Sequence, residues 1–163
     1  MRHTRTAVLV LLSLPALLAA PPGAAAQAPA PVRFMGVRVM PGGAVVGDRI
    51  VYEGGSVVVV PAAGDSFDSC LSGWVCLFAS TNWQGDMVQL SSCCAWNNLS
   101  DYGFNNTASS WRNRLSVDAQ LAKDASGGGA RLCLNNGSYA SSMPSGWDSA
   151  ASSIRVRDAS TYC

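Results

Sequence analysis

Short apolar runs, broken by small and polar residues, set the rhythm of the chain from about residue 48 onward. Trp74 to Phe78 and Met87 to Leu90 flank the turn Thr81-Asn82-Trp83-Gln84-Gly85-Asp86. Leu115 to Ala122 and Ala130 to Leu134 flank Asp124-Ala125-Ser126-Gly127-Gly128-Gly129 in the same way, and Ser153 to Arg157 is a closing run. Upstream, Ile50-Val51-Tyr52 and Val57-Val58-Val59-Val60 enclose Glu53-Gly54-Gly55-Ser56, which reads as a β-hairpin. Phe34 to Met40 reads as one more short strand before Pro41-Gly42-Gly43. No stretch of useful length carries the period of an amphipathic helix. Short strands at regular spacing, with Gly and Asn turns between them, predict an antiparallel sandwich.

One pattern occurs twice. Phe78, Trp83 and Gly85 are followed by Phe104-Asn105-Asn106-Thr107-Ala108-Ser109-Ser110-Trp111. An offset of 43 leads to Leu121, Ser126 and Gly128, then Trp147-Asp148-Ser149-Ala150-Ala151-Ser152-Ser153-Ile154, with no gap. Repetition at this period means two copies of one supersecondary unit, about 74–117 and 118–158. The second copy is the degenerate one, with Leu121 and Ser126 at the aromatic positions and an additional Gly129.

The N-terminus changes the picture. Arg2, His3 and Arg5 precede an apolar run from Thr6 to Ala20, and Gly23-Ala24-Ala25-Ala26 offers a small-residue cleavage site. Residues 1–26 therefore read as a secretory signal peptide, too short and too early for an ordinary membrane span. The mature protein is expected outside the cell, with no membrane segment. Residues 27–66 read as a leader or propeptide carrying the β-hairpin, and 67–163 as the main domain.

Signal removal takes the sole histidine, His3, and so excludes Ser-His-Asp, Cys-His and His-zinc chemistry. Asp118 and Asp124 are the remaining carboxylate pair of interest, and they read as solvated loop acids rather than glycosidase acids. Loss of Arg2 and Arg5 leaves nine basic against ten acidic residues, so no basic excess exists to hold a nucleic acid. No enzyme activity and no cofactor requirement are expected.

All six cysteines, Cys70, Cys76, Cys93, Cys94, Cys133 and Cys163, lie in the mature part. An even count in an exported chain reads as a disulfide framework. The count alone leaves the connectivity open. Adjacent residues on a strand point to opposite faces, so Cys93 and Cys94 are expected to take different partners. The preferred pairing sets Cys70 and Cys76 against Cys93 and Cys94, and Cys133 against Cys163.

The spacing Phe78, Trp83, Gly85 resembles the βγ-crystallin Greek-key signature. Asn105-Asn106-Thr107-Ala108-Ser109-Ser110 is similar to that family's calcium motif. A closer resemblance is to the actinobacterial secreted metalloproteinase-inhibitor family, whose members have a βγ-crystallin fold. It is carried by Cys70-Leu71-Ser72-Gly73-Trp74-Val75-Cys76-Leu77-Phe78, by Leu99-Ser100-Asp101-Tyr102-Gly103-Phe104-Asn105-Asn106, and by Ala108-Ser109-Ser110-Trp111-Arg112-Asn113.

The resemblance implies an all-β, βγ-crystallin-like sandwich of two Greek keys. It also implies a monomeric inhibitor of an extracellular peptidase, of the metallopeptidase class. The crystallin motif implies crossed calcium sites. One would use the Thr107 carbonyl, Ser109 and Ser149, the other the Ala150 carbonyl, Ser152 and Asn106. Calcium seeks six to eight oxygens and carboxylate charge, so binding through these groups is expected to be weak.

An inhibitor needs a stiff exposed loop. Two loops qualify: Ser91-Ser92-Cys93-Cys94-Ala95-Trp96, and Asn135 to Pro144 with Met143 near its end. Cys93, Cys94, Ala95, Trp96 and Met143 are the candidate contact residues. A calcium-stabilised structural or cell-envelope binding module is the alternative, and a small secreted toxin the third.

Overall fold

In chain order the strands are β1 Arg33–Phe34, β2 Val37–Arg38, β3 Ala44–Val46, β4 Arg49–Tyr52 and β5 Val57–Val60. The first repeat adds β6 Val75–Ser80, β7 Gln84–Leu90, β8 Asn97–Asn98 and β9 Ser110–Asn113. The second adds β10 Ala119–Ala122, β11 Arg131–Leu134, β12 Tyr139–Ala140 and β13 Ser153–Val156. The structure is a computed structural model that describes residues 30–61, 67–159 and 163. The signal peptide read over 1–26 lies outside the described residues. Helical structure among the described residues is limited to short 3₁₀ turns.

Two antiparallel sheets form the sandwich. The larger runs β12-β9-β6-β7-β5-β4-β3 and the smaller β11-β10-β13-β8. Each repeat lends its third strand to the other sheet: β8 pairs with β13, and β12 pairs with β9. That exchange makes two interlocked Greek keys.

Strand alternation decides the core. Val75 and Leu77 of β6, Val88 and Leu90 of β7, and Leu121, Leu134, Ile154 and Val156 of the smaller sheet meet between the sheets. Their neighbours Cys76, Phe78 and Met87 face the other way. These are buried as well, in a second cluster with Cys70, flanked by Trp74 and Trp83. This two-sided burial explains why the first repeat reads as continuous apolar runs rather than clean alternation.

The leader hairpin forms as expected, with β4 and β5 joined through Glu53 to Ser56. It also extends the larger sheet, because β5 pairs with β7 along Val57↔Leu90 to Val60↔Met87. Ile50, Tyr52, Val57 and Val59 belong to the central core, and residues 31–163 form one unit. The segment expected as one strand over Phe34–Met40 is instead the tight hairpin β1–β2, turning at Met35 and Gly36, both with positive φ. β10 is shorter than the apolar run Leu115 to Ala122, because Asn113 Nδ2 donates to the carbonyls of Val117 and Leu134 and holds 115–118 as a loop.

The Tyr102 phenol donates to Glu53 Oε1 at 2.5 Å and lies 3.2 Å from Asn97 Oδ1, tying the hairpin to the first repeat. Burial, and then the Glu53 carboxylate, raise its pKa above the ordinary tyrosine value. A raised folded-state pKa favours the neutral phenol in the native protein. The resulting stability is complete below the unfolded value near pH 10 and is lost as pH climbs beyond it. Urea titrations from about pH 9 to 12 are therefore expected to show falling stability, with a shallower fall for Tyr102→Phe.

The repeat needs one correction. Ser110 Oγ donates to the Ser80 carbonyl and accepts from the Trp83 N–H; Ser153 Oγ donates to the Asp124 carbonyl and accepts from the Gly127 N–H. Ser110 and Ser153 are 43 apart, but Ser80 and Asp124, and Trp83 and Gly127, are 44 apart. The hairpins thus correspond at 44 and the later halves at 43. The second connection, between β11 and Trp147, is one residue shorter than its counterpart. Phe78 corresponds to Ala122 rather than Leu121, Trp83 to Gly127 rather than Ser126, and Gly85 to Gly129 rather than Gly128. Gly85 and Gly129 share a left-handed φ of 78° and 69°, where a Cβ is costly.

Candidate functional site

The gapless offset hid a missing ring. Where the first repeat has Trp83, the second has Gly127, and the indole of Trp96 fills the space. A methyl group at Gly127 would fall 2.1 Å from Trp96 Cε2. Trp96 is therefore half-buried against the turn that joins β10 and β11, and its indole fixes the end of the Ser91–Trp96 loop.

The rest of that loop is exposed at Cys93, Cys94 and Ala95. Its backbone is nonetheless pinned. The Ser91 N–H donates to the Ser56 carbonyl at 3.0 Å, and the Cys94 N–H to the Val156 carbonyl at 3.1 Å. Cys93 also bridges in parallel to Val156. The loop is thus held to the leader hairpin at one end, to β13 in the middle and to the β10–β11 turn at the other.

Cys93 and Cys94 are bonded to each other, and Cys70 is bonded to Cys76. Both findings correct the sequence expectation. Opposite strand faces would separate Cys93 and Cys94 only if both extended a strand. β7 ends at Leu90, and Cys94 has a φ of 99°, so strand alternation does not apply to them. Cys70 and Cys76 close a short loop that covers the outer face of β6. Cys133 pairs with Cys163, as expected.

The second loop is different. Met143 is only 8% exposed, lies in the core and donates its N–H to the Ser109 carbonyl at 2.8 Å. Its side chain is not available to a partner. Ser141, Ser142 and Pro144 face solvent around it.

The crossed motifs do come together. The Asn106 N–H donates to the Ala151 carbonyl at 2.9 Å, and 43 residues on, the Ser149 N–H donates to the Ala108 carbonyl at 3.0 Å. Ser152 Oγ donates to Asn106 Oδ1 at 3.1 Å. Asn106 and Ser149 share a left-handed φ of 53° and 51°. Thr107 Oγ1 donates to the Asn105 carbonyl, and Ser109 is 8% exposed. The side-chain oxygens that would face a cation are neutral, Ser152 Oγ and Asn106 Oδ1 are bonded to each other, and Ser149 brings no carboxylate to the crossing. This donor set does not fit a tight calcium site.

Asp118 and Asp124 flank β10 at opposite ends and do not form an acid–base pair. Asp118 is buried rather than solvated, and its carboxylate accepts from the Asn136 N–H at 2.9 Å and the Cys163 N–H at 3.1 Å. It anchors the terminal disulfide. Asp118, Cys133 and Cys163 also cluster closely enough to suggest a metal, but both sulfurs are spent in the disulfide.

The two-sheet, double Greek-key sandwich is a βγ-crystallin-type fold. Residues 63–134 match the model of peptidase inhibitor family I36. Among solved structures, one concerned with the evolution of the eye lens βγ-crystallin domain fold is 24% identical, with a TM-score of 0.51 over 62% of this chain and 96% of that one. The N-terminal domain of protein S is 26% identical, with a TM-score of 0.45 over 51% and 93%. A βγ-crystallin domain from Flavobacterium johnsoniae is 26% identical, with a TM-score of 0.44 over 53% and 97%. No curated protein matches the sequence.

Proposed function

We propose that this protein is a secreted, monomeric inhibitor of an extracellular metallopeptidase and that the Ser91–Trp96 loop occludes the enzyme's cleft. The match of residues 63–134 to a peptidase inhibitor family supports a peptidase partner. The metallopeptidase class rests on the resemblance to the secreted metalloproteinase inhibitors, and export on the signal-like N-terminus and the disulfides. The observation that carries the loop assignment is its combination of exposure and anchoring. Cys93, Cys94 and Ala95 face solvent, while Ser91, Cys94 and Trp96 are held by three separate elements. A loop already fixed in one conformation loses little entropy on docking, which favours affinity.

Ala95→Asp tests the loop. The side chain is exposed, so folding is expected to be unchanged, while inhibition weakens about tenfold or more if the loop enters a cleft. Equal inhibition by wild type and variant would remove the loop from the contact. Folding is proposed to be independent of calcium. Thermal melting at millimolar calcium is expected to match that in chelator. A clear rise in Tm would show ion binding to the native state and favour the calcium-stabilised module.

A further inference from the structure

The outer face of the smaller sheet carries a row of arginines that the proposed loop contact does not use. Arg155 lies on β13 and Arg157 two residues on, so alternation sends both to the same face. Arg155 pairs in register with Gln120 of β10, and Arg131 of β11 lies on the same face one pair further along. The Trp96 ring spans this row, 4.8 Å from the Arg155 guanidinium and 5.4 Å from that of Arg131. Arg155 Nη2 donates to Gln120 Oε1 at 3.0 Å, and Arg157 Nη1 reaches the same oxygen at 3.5 Å. Arg131 Nε donates to the Gly127 carbonyl at 2.9 Å.

Neither Arg131 nor Arg155 makes an ion pair among the described residues, and the buried Arg155 Nε has no hydrogen-bond acceptor there. Burial first, then repulsion from Arg157 and Arg131, push the Arg155 pKa down, with Asp158 acting in the opposite direction. A cavity of about 200 Å³ opens between Cys94, Arg155, Val156, Arg157 and Asp158. It adjoins the Cys93–Cys94 loop, so one surface joins a stiff exposed loop, an indole and a cationic row.

We propose that this arginine row is a carboxylate-recognising subsite of the inhibitory surface, and that it receives an acidic side-chain patch on the target peptidase beside the cleft. The proposal rests on the inhibitor reading for the identity of its partner. Guanidinium groups present planar pairs of donors that match a carboxylate, and an indole beneath them excludes water from the contact. Such a patch steers association and makes it sensitive to salt.

The test uses oxidised residues 31–163 and the variants Arg131→Gln and Arg155→Gln, alone and together, each checked for an unchanged Tm. The probe is a short peptide of alternating Asp and Glu with blocked ends, followed by NMR on the Trp96 indole N–H and the Arg155 Nε–H. The expected result is saturable shifts of both signals, lost in 0.5 M NaCl and reduced at least tenfold in affinity in the double variant. Absent shifts, shifts that survive the double substitution, or tighter binding of inorganic phosphate than of the peptide would each overturn the assignment. Inhibition assays separate the two readings. A wild type that inhibits no metallopeptidase yet binds the peptide refutes the inhibitor role and keeps the carboxylate site. A double variant that inhibits as well as wild type, with the same salt dependence, refutes the site and keeps the inhibitor.

Discussion

Residues 62–163 produced without the leader hairpin are expected not to fold. The hairpin contributes Ile50, Tyr52, Val57, Val58 and Val59, each between 0 and 6% exposed, to the interior. Full burial of a large apolar side chain is worth about 1.5–3 kcal/mol, so five of them amount to roughly 10 kcal/mol. That is comparable with the entire stability of a small domain, about 5–15 kcal/mol. Removal would also bare the edge of β7 and strip Tyr102 of its Glu53 acceptor. A bare apolar strand edge invites association. Circular dichroism melting of 31–163 against 62–163 checks this. The longer chain should melt cooperatively and the shorter should show no cooperative transition. A cooperative melt of the shorter chain within a few degrees of the longer would identify the hairpin as a removable propeptide.

Gly127→Ala is expected to be the most damaging single methyl group in the domain. Gly127 has a φ of 81°, and an alanine there meets the Trp96 ring at 2.1 Å. The left-handed backbone costs about 1–2 kcal/mol and overpacking about 1–3 kcal/mol, giving roughly 3 kcal/mol together. The ring cannot simply slide, because Arg155 and Arg131 flank it. Truncating the ring removes the clash but not the backbone cost. Gly127→Ala in a Trp96→Ala background should therefore cost only about 1–2 kcal/mol, leaving a coupling of at least about 1 kcal/mol in a double-mutant cycle. Chemical denaturation of the four proteins measures it, and additive losses would mean that Trp96 does not fill the Gly127 slot. The variant should also inhibit less well, since the displaced indole anchors the Cys93–Cys94 loop.

The fold was legible where local pattern and packing agree. The runs around Thr81–Asp86 and around Asp124–Gly129 became β6–β7 and β10–β11, and the leader runs became β4–β5, because apolar strands and glycine turns carry their own signal. The two-residue strands β8 and β12 were invisible, since Asn97–Asn98 and Tyr139–Ala140 become strands only by lying against the opposite sheet. The repeat was legible in kind but misplaced by one residue in the hairpins. Consecutive Gly128 and Gly129 allowed either offset; the Ser110 and Ser153 hydrogen bonds and the positive φ of Gly129 separate them. Trp96 could not be matched to Gly127 from the sequence, because its ring comes from the other repeat. The spacing of Arg155 and Arg157 already placed both on one strand face, and that signal could have marked the arginine row. The Cys93–Cys94 bond was missed because strand alternation was applied beyond the end of β7.

If the anchored Cys93–Cys94 loop inhibits a peptidase, inhibition must depend on that loop and its disulfide. The most direct measurement is titration of oxidised protein against secreted peptidases, thermolysin-like metallopeptidases included, before and after disulfide reduction. Dose-dependent inhibition of a metallopeptidase that is lost on reduction and weakened by Ala95→Asp is the expected result. No inhibition of any peptidase at micromolar protein, with the fold intact by melting, would contradict it.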